Sequence, residues 1–69
     1  MQRISVSSSN IAAIGYDVQS STLEIEFLNG SIYQYFDVAE NVYNELMQAG
    51  SIGAYLNSYI KGNYRFSRV

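Results

Sequence analysis

The stretch TLEIEFLNGSIYQYF, residues 22–36, limits the possible folds more than any other part of the chain. Two runs of alternating apolar and polar residues flank Asn29-Gly30. This dipeptide is favoured in two-residue type I′ hairpins because both residues tolerate positive φ. With Asn29 and Gly30 as the whole loop, Phe27 faces Ile32, Glu26 faces Tyr33, Ile25 faces Gln34 and Glu24 faces Tyr35. Directly opposed residues share a face of the sheet. One face then carries Leu23, Ile25, Phe27, Ile32 and Phe36, interrupted by Gln34, and is the expected core. The other carries Glu24, Glu26, Tyr33 and Tyr35, and points away from it.

Upstream, IAAIGYDVQSSTLEIEF reads as a further strand returning through residues 18–21. Closing Asp17 on Thr22 places Ala12, Ile14 and Tyr16 on the core face, and sets the small Ala13 and Gly15 beside the glutamates. Because side chains alternate with a period of two, a slip of one residue would invert any such assignment. Downstream the period lengthens to that of a helix. Asp37 and Glu40 have the spacing of a capping box, and Val42, Tyr43, Leu46, Met47 and Ala49 form a stripe that Gly50 terminates. A second helix starts at Ser51 as N-cap and carries Ile52, Tyr55, Leu56, Tyr59 and Ile60 on one side. The tail NYRFSRV is an extra strand or an arm. The expected fold is α+β: one domain over residues 1–69, built as a three-stranded antiparallel meander packed on one face by a C-terminal helical hairpin, β-β-β-α-α plus the tail.

At 69 residues a chain buries only about 60% of its unfolded surface, so small domains of this size rely on disulfides, metals or self-association. The sequence has neither cysteine nor histidine, which leaves homo-oligomerisation as the expected device. No apolar run approaches the roughly 18 residues of a membrane span, and the N-terminus lacks a signal-peptide pattern. A cytoplasmic protein without membrane contact is expected. The formal net charge of −2 argues against general coating of nucleic acid, which relies on summed positive charge.

Without histidine and with a single lysine, no base is in evidence to activate any of the many serines, so no catalytic residue is assigned and the chain is read as a non-enzyme. Glu24 and Glu26, about 7 Å apart along one strand, are compatible with magnesium together with Asp17. A solvated polar face is the preferred account of them, and neither a metal site nor a cofactor is assigned. Tyr33 and Tyr35, aromatic yet off the expected core, suit either burial against a second subunit or stacking of a base. The polar entry Ser8-Ser9-Asn10 is either a turn or part of a binding surface. Ser51 and Gly53 open a helix whose free N–H groups suit an anion, with structural capping alone as the default account. Lys61, Arg65 and Arg68, interleaved with Tyr64 and Phe66, suit phosphate and base, or equally a solvated tail or an acidic partner surface.

Taken in order, VSSSNIAAIGYD, TLEIEFLNGSIYQYF and SIGAYLNSYIKGNYRFSRV resemble the KTSC domain, named after the C-terminus of some lysyl-tRNA synthetases and also found as stand-alone bacterial and viral proteins. The Tyr33-Gln34-Tyr35 element, Ser8-Ser9-Asn10, and Ser51 with Gly53 carry the resemblance. Ala39 departs from it, standing where members commonly have proline. The resemblance itself carries no established function, and its synthetase connection implies single-stranded RNA as one ligand. From residues and resemblance together, the expected function is non-enzymatic recognition of a small anionic ligand, a nucleotide or a protein partner, in a viral setting as a counter-defence protein. The alternatives are single-stranded RNA binding, and inhibition of a host nucleic-acid enzyme by the acidic middle of the chain.

Overall fold

The computed structural model describes all 69 residues. Its central hairpin joins a strand at Thr22–Phe27 to one at Ile32–Tyr35. Phe27 N–H donates to Ser31 O at 2.9 Å and Gly30 N–H to Phe27 O at 2.9 Å. The loop is therefore Leu28-Asn29-Gly30, one residue longer than expected. Only Gly30 in it has positive φ, at 92°, as in a type I turn closed by a left-handed residue. Asn29 instead tightens the loop through its side chain, whose Oδ1 accepts from Ser31 N–H at 3.0 Å and from Ser31 Oγ at 2.7 Å.

That one residue changes the face of every side chain on the second strand. The register is Leu23 with Tyr35, Glu24 with Gln34, Ile25 with Tyr33 and Glu26 with Ile32. Tyr33 and Tyr35 consequently lie on the core face, and Tyr35 is only 3% exposed. Gln34 moves to the polar face, where its Nε2 donates to Glu24 Oε1 at 2.9 Å. The expectation of outward-pointing tyrosines and a misplaced core glutamine is thus corrected.

The upstream pairing is as anticipated, with Asp17 opposite Thr22 and Gly15 opposite Glu24 in a strand covering Ile11–Asp17. An irregularity between Ile11 and Ala13 puts Ile11, not Ala12, into the core. One further strand escaped the pattern, and the tail, expected as a strand or an arm, is a strand. Arg3–Ser5 pairs with Ile11–Asp17, and Phe66–Arg68 pairs with Ile32–Tyr35. Numbered along the chain, β1 (Arg3–Ser5), β2 (Ile11–Asp17), β3 (Thr22–Phe27), β4 (Ile32–Tyr35) and β5 (Phe66–Arg68) form one antiparallel sheet in that spatial order. The expected three-stranded meander is therefore a five-stranded one.

The helical hairpin is also corrected, to two short helices: α1 (Glu40–Gln48) and α2 (Ile52–Tyr55), the latter continuing as a π-helical turn over Leu56–Ile60. The capping box is absent. Asp37 adopts φ 58° and pairs with Arg65, while Ala39 caps α1 with φ −66° and no side-chain bond. Ser51 does cap α2, its Oγ accepting from Ala54 N–H at 3.3 Å. The wider π turn keeps Leu56 and Ile60 fully buried but rotates Tyr59 out to 61% exposure. Leu46, Leu56 and Ile60 pack on Ile11, Ile14, Leu23, Ile25, Tyr35 and Val38. Each such aliphatic side chain stabilises the fold by about 1.5–3 kcal/mol through burial. No helix is long and apolar enough to cross a membrane.

Candidate functional site

Three polar regions flank this core, and the residues expected to bind divide among them. The first is a clasp between the loop after β1 and the start of α2. Ser8 Oγ donates to Asn10 Oδ1 at 3.2 Å and accepts from the N–H groups of Asn10 and Ile11, both at 3.4 Å. Asn10 O accepts from Leu28 N–H at 2.9 Å, which ties this loop to the β3–β4 turn. A Cβ at Gly53 would lie 2.9 Å from Asn10 Oδ1 and 3.6 Å from Ser8 Oγ, so glycine is what lets the helix sit on the loop. Ser8, Asn10, Ser51 and Gly53 therefore do come together, though as a packed junction. The space before α2 holds acceptor oxygens, where an anion would require donors. Ser9 is exposed beside it.

The second region is the polar face of β1–β4. Arg3 lies across Gly15, whose missing side chain is required because a Cβ would meet Gln2 O at 2.9 Å. From there Arg3 Nε reaches Glu24 Oε2 at 3.4 Å and its NH1 reaches Glu26 Oε1 at 3.7 Å. The space beside the small Ala13 and Gly15 is thus occupied by the N-terminal strand. A cleft of about 790 Å³ borders this face and includes Tyr16, Asp17, Thr22, Glu24, Gln34 and Tyr43. It is the larger of two, yet most of its polar groups are already engaged. Glu24 is held by Arg3 and Gln34, Asp17 accepts from Ser20 Oγ at 2.7 Å, and the Tyr16 hydroxyl donates to Val38 O. Tyr16 and Tyr43 stack with centroids 4.9 Å apart. Glutamates committed in this way leave no carboxylate set for magnesium.

The third region is a groove of about 480 Å³ where the helices stop short of the β4–β5 side of the core face. It is lined by Phe27, Asn29, Ser31, Tyr33, Tyr35, Lys61, Gly62 and Phe66. Phe27 and Tyr33 meet edge to face at 5.7 Å, and Phe66 leans on both Tyr33 and Tyr35 at 5.9 Å. Lys61 Nζ lies 5.2 Å from the Phe27 centroid, and the Arg68 guanidinium 6.0 Å from that of Tyr33. Both are within cation–π range. The π turn ends by bonding Lys61 N–H to Leu56 O at 2.9 Å, and this turn sets Lys61 over the groove.

Charge is distributed unevenly over these regions. Arg3 and Arg65 form the ion pairs of the molecule, Arg65 NH2 reaching Asp37 Oδ2 at 2.6 Å while covering Phe36. Lys61 and Arg68 pair with no carboxylate, and both rest on rings of the groove. The Tyr35 hydroxyl makes no bond within the protein and remains open to the groove. Burial, and then the neighbouring Tyr33, push its pKa above the ordinary 10.0. The phenol thus stays a hydrogen-bond donor. Tyr55 is also raised, chiefly by its 2.8 Å hydrogen bond to Glu45.

Of the residues expected to bind, Tyr33, Tyr35, Lys61 and Arg68 thus meet at one site. Arg65 stands apart, committed to Asp37. Phe27, Asn29 and Ser31 were missed there, and they join the site only once β4 is in its true register. Phe66 was anticipated from the alternation of aromatic and basic residues in the tail.

Known proteins agree with this architecture. The sequence signature of the KTSC domain matches residues 7–64. An uncharacterised protein of Stutzerimonas stutzeri is 36% identical over 70 residues, spanning 100% of this chain and 99% of its own. A lysine–tRNA ligase of Nostoc punctiforme is 39% identical over 59 residues, which are 86% of this chain but 10% of the ligase. The crystal structure of a KTSC domain protein from Yersinia pestis superposes with a TM-score of 0.93 at 40% identity, covering 99% of this chain and 96% of that one. With signature, relatives and fold in agreement, the chain belongs to the KTSC domain family.

Proposed function

We propose that the domain is a non-enzymatic binding module that takes a nucleotide in the groove, its base against Phe27, Tyr33 and Phe66 and its phosphate at Lys61 and Arg68. The observation that carries this reading is the coincidence of the two cations lacking a carboxylate partner with the aromatic-lined groove. Rings accept any base by stacking, and free cations near them supply the charge-assisted bonds a phosphate needs. The Tyr35 hydroxyl adds one directional donor at the floor. Mimicry of nucleic acid by the acidic middle finds less support, because Glu24, Glu26 and Asp37 are consumed in internal ion pairs. A cytoplasmic location fits this ligand class.

Calorimetric titration with nucleoside monophosphates tests the reading. Replacing Lys61 and Arg68 together by alanine lowers affinity roughly tenfold or more, since charged hydrogen bonds are strong, while circular dichroism is unchanged. Equal affinity of the folded double variant and the native protein would refute it.

Single-stranded RNA is a second reading, favoured by the lysine–tRNA ligases among the relatives, of which this domain is about a tenth. It requires affinity to grow with oligonucleotide length. Two phosphate contacts on a single strand then give a salt slope of about −1.4 in log–log form.

A further inference from the structure

We infer that β5 is a self-complementary edge through which two copies of the chain pair into a dimer, each lending Arg68 to the other's groove. The argument begins with which way the strand's backbone points. Arg65 O accepts from Phe36 N–H and Val69 N–H donates to Ile32 O, each at 2.9 Å. Alternate residues of an antiparallel strand turn their backbone groups to opposite sides. Residues 65, 67 and 69 therefore bond to β4, whereas Phe66 and Arg68 direct their N–H and C=O groups out of the sheet. β5 is the last strand, so these groups have no strand beyond them. An unpaired edge is usually blunted by a bulge, a proline, a charge or a very short strand. This one is short and carries Arg68, but it has neither bulge nor proline and presents Phe66 at 58% and Val69 at 64% exposure.

A second copy fits that edge by symmetry. An antiparallel pair of β5 strands centred on Ser67 is two-fold and isologous. It sets Phe66 opposite the partner's Arg68, and Arg68 opposite the partner's Phe66. These are the residues whose backbone groups face outward, so each opposed pair exchanges backbone hydrogen bonds. Their side chains share the groove face, because Phe66 pairs with Tyr35 and Arg68 with Tyr33. Each pair is thus a cation against an aromatic ring, the contact that Arg68 already makes with Tyr33 inside one chain. The open outer wall of the groove, formed by Phe66 alone, is closed by the partner's Arg68. The opposite edge offers no such match. A β1 pair centred on Ile4 opposes Arg3 to serine, and Arg3 is already committed to Glu24 and Glu26. With an edge of three residues the dimer is concentration-dependent.

Light scattering and sedimentation on the full chain test this, independently of any groove ligand. The native protein gives the mass of two 7.8 kDa chains at the upper end of a concentration series and dissociates on dilution. Phe66→Lys opposes like charges at both symmetric positions and weakens the dimer by about tenfold. Adding Arg68→Glu to it restores opposite charges and recovers the dimer. Circular dichroism verifies that each variant is folded, as expected for substitutions at an exposed edge. A native monomer at every concentration would overturn the proposal. So would a Phe66→Lys dimer of unchanged affinity, or a folded double variant that stays monomeric.

Discussion

The polar face around Arg3 and the groove around Arg68 both combine cations with tyrosines and strand edges, yet they use charge in opposite ways. On the polar face Arg3 bridges Glu24 and Glu26, and Gln34 completes Glu24. In the groove Lys61 and Arg68 lie over rings with no counter-charge. The first arrangement spends its charge on holding β1 against β2 and β3; the second leaves its charge for a ligand. A large cleft with satisfied groups is therefore a weaker site than a smaller one with unsatisfied groups.

The sharpest way to separate the two regions is to break the satisfied one. Glu24→Ala removes a nearly buried carboxylate, leaving Gln34 without its partner and Arg3 with Glu26 alone, and is expected to cost about 1–2 kcal/mol in chemical denaturation, without altering nucleotide affinity. Lost affinity with retained stability would erase the distinction. A smaller effect concerns Tyr35. Its pKa is raised above 10.0 in the folded chain. The associated stability is complete below that pH and is lost as pH rises from there through the raised value. Tyr35→Phe should flatten this alkaline loss in melting curves recorded across that range, whereas an unchanged slope would assign it to other groups. The smallest effect lies away from both regions. Ala39 has φ −66° and ψ 150°, which proline adopts without strain. Ala39→Pro should stabilise by about 0.4–1 kcal/mol through the unfolded state and leave both regions unaffected. A lower melting temperature would show that Val38 or α1 resists the ring.

How much of this was readable from the chain depended on one loop. The β2–β3 pairing followed from the Asp17 to Thr22 spacing and was found as expected. Asn29-Gly30 also signalled its hairpin correctly, but the dipeptide fits two loop lengths. The choice between them rests on Ser31, whose N–H and hydroxyl both bind Asn29 Oδ1. Pattern alone gave no reason to prefer the longer loop. From that single step came the inverted faces of Tyr33, Gln34 and Tyr35. β1 was hidden for a different reason: at three residues it is too short for alternation to register, whereas the tail's alternation left β5 open between a strand and an arm. Their existence depends on the edges they join. Ser8, Asn10 and Gly53 were singled out by resemblance as ligand-binding residues, while their packing against one another became visible only when Gly53 was found against Asn10 Oδ1.

Two-dimensional amide NMR spectra recorded during titration with a nucleoside monophosphate test the central claim most directly. The account predicts shifts concentrated at Phe27, Ser31, Tyr33, Tyr35, Lys61, Gly62, Phe66 and Arg68, with Arg3, Glu24, Asn10 and Gly53 unmoved. Shifts centred on the Arg3–Glu24 face or on the Asn10–Gly53 clasp, or none at saturating ligand, would contradict it.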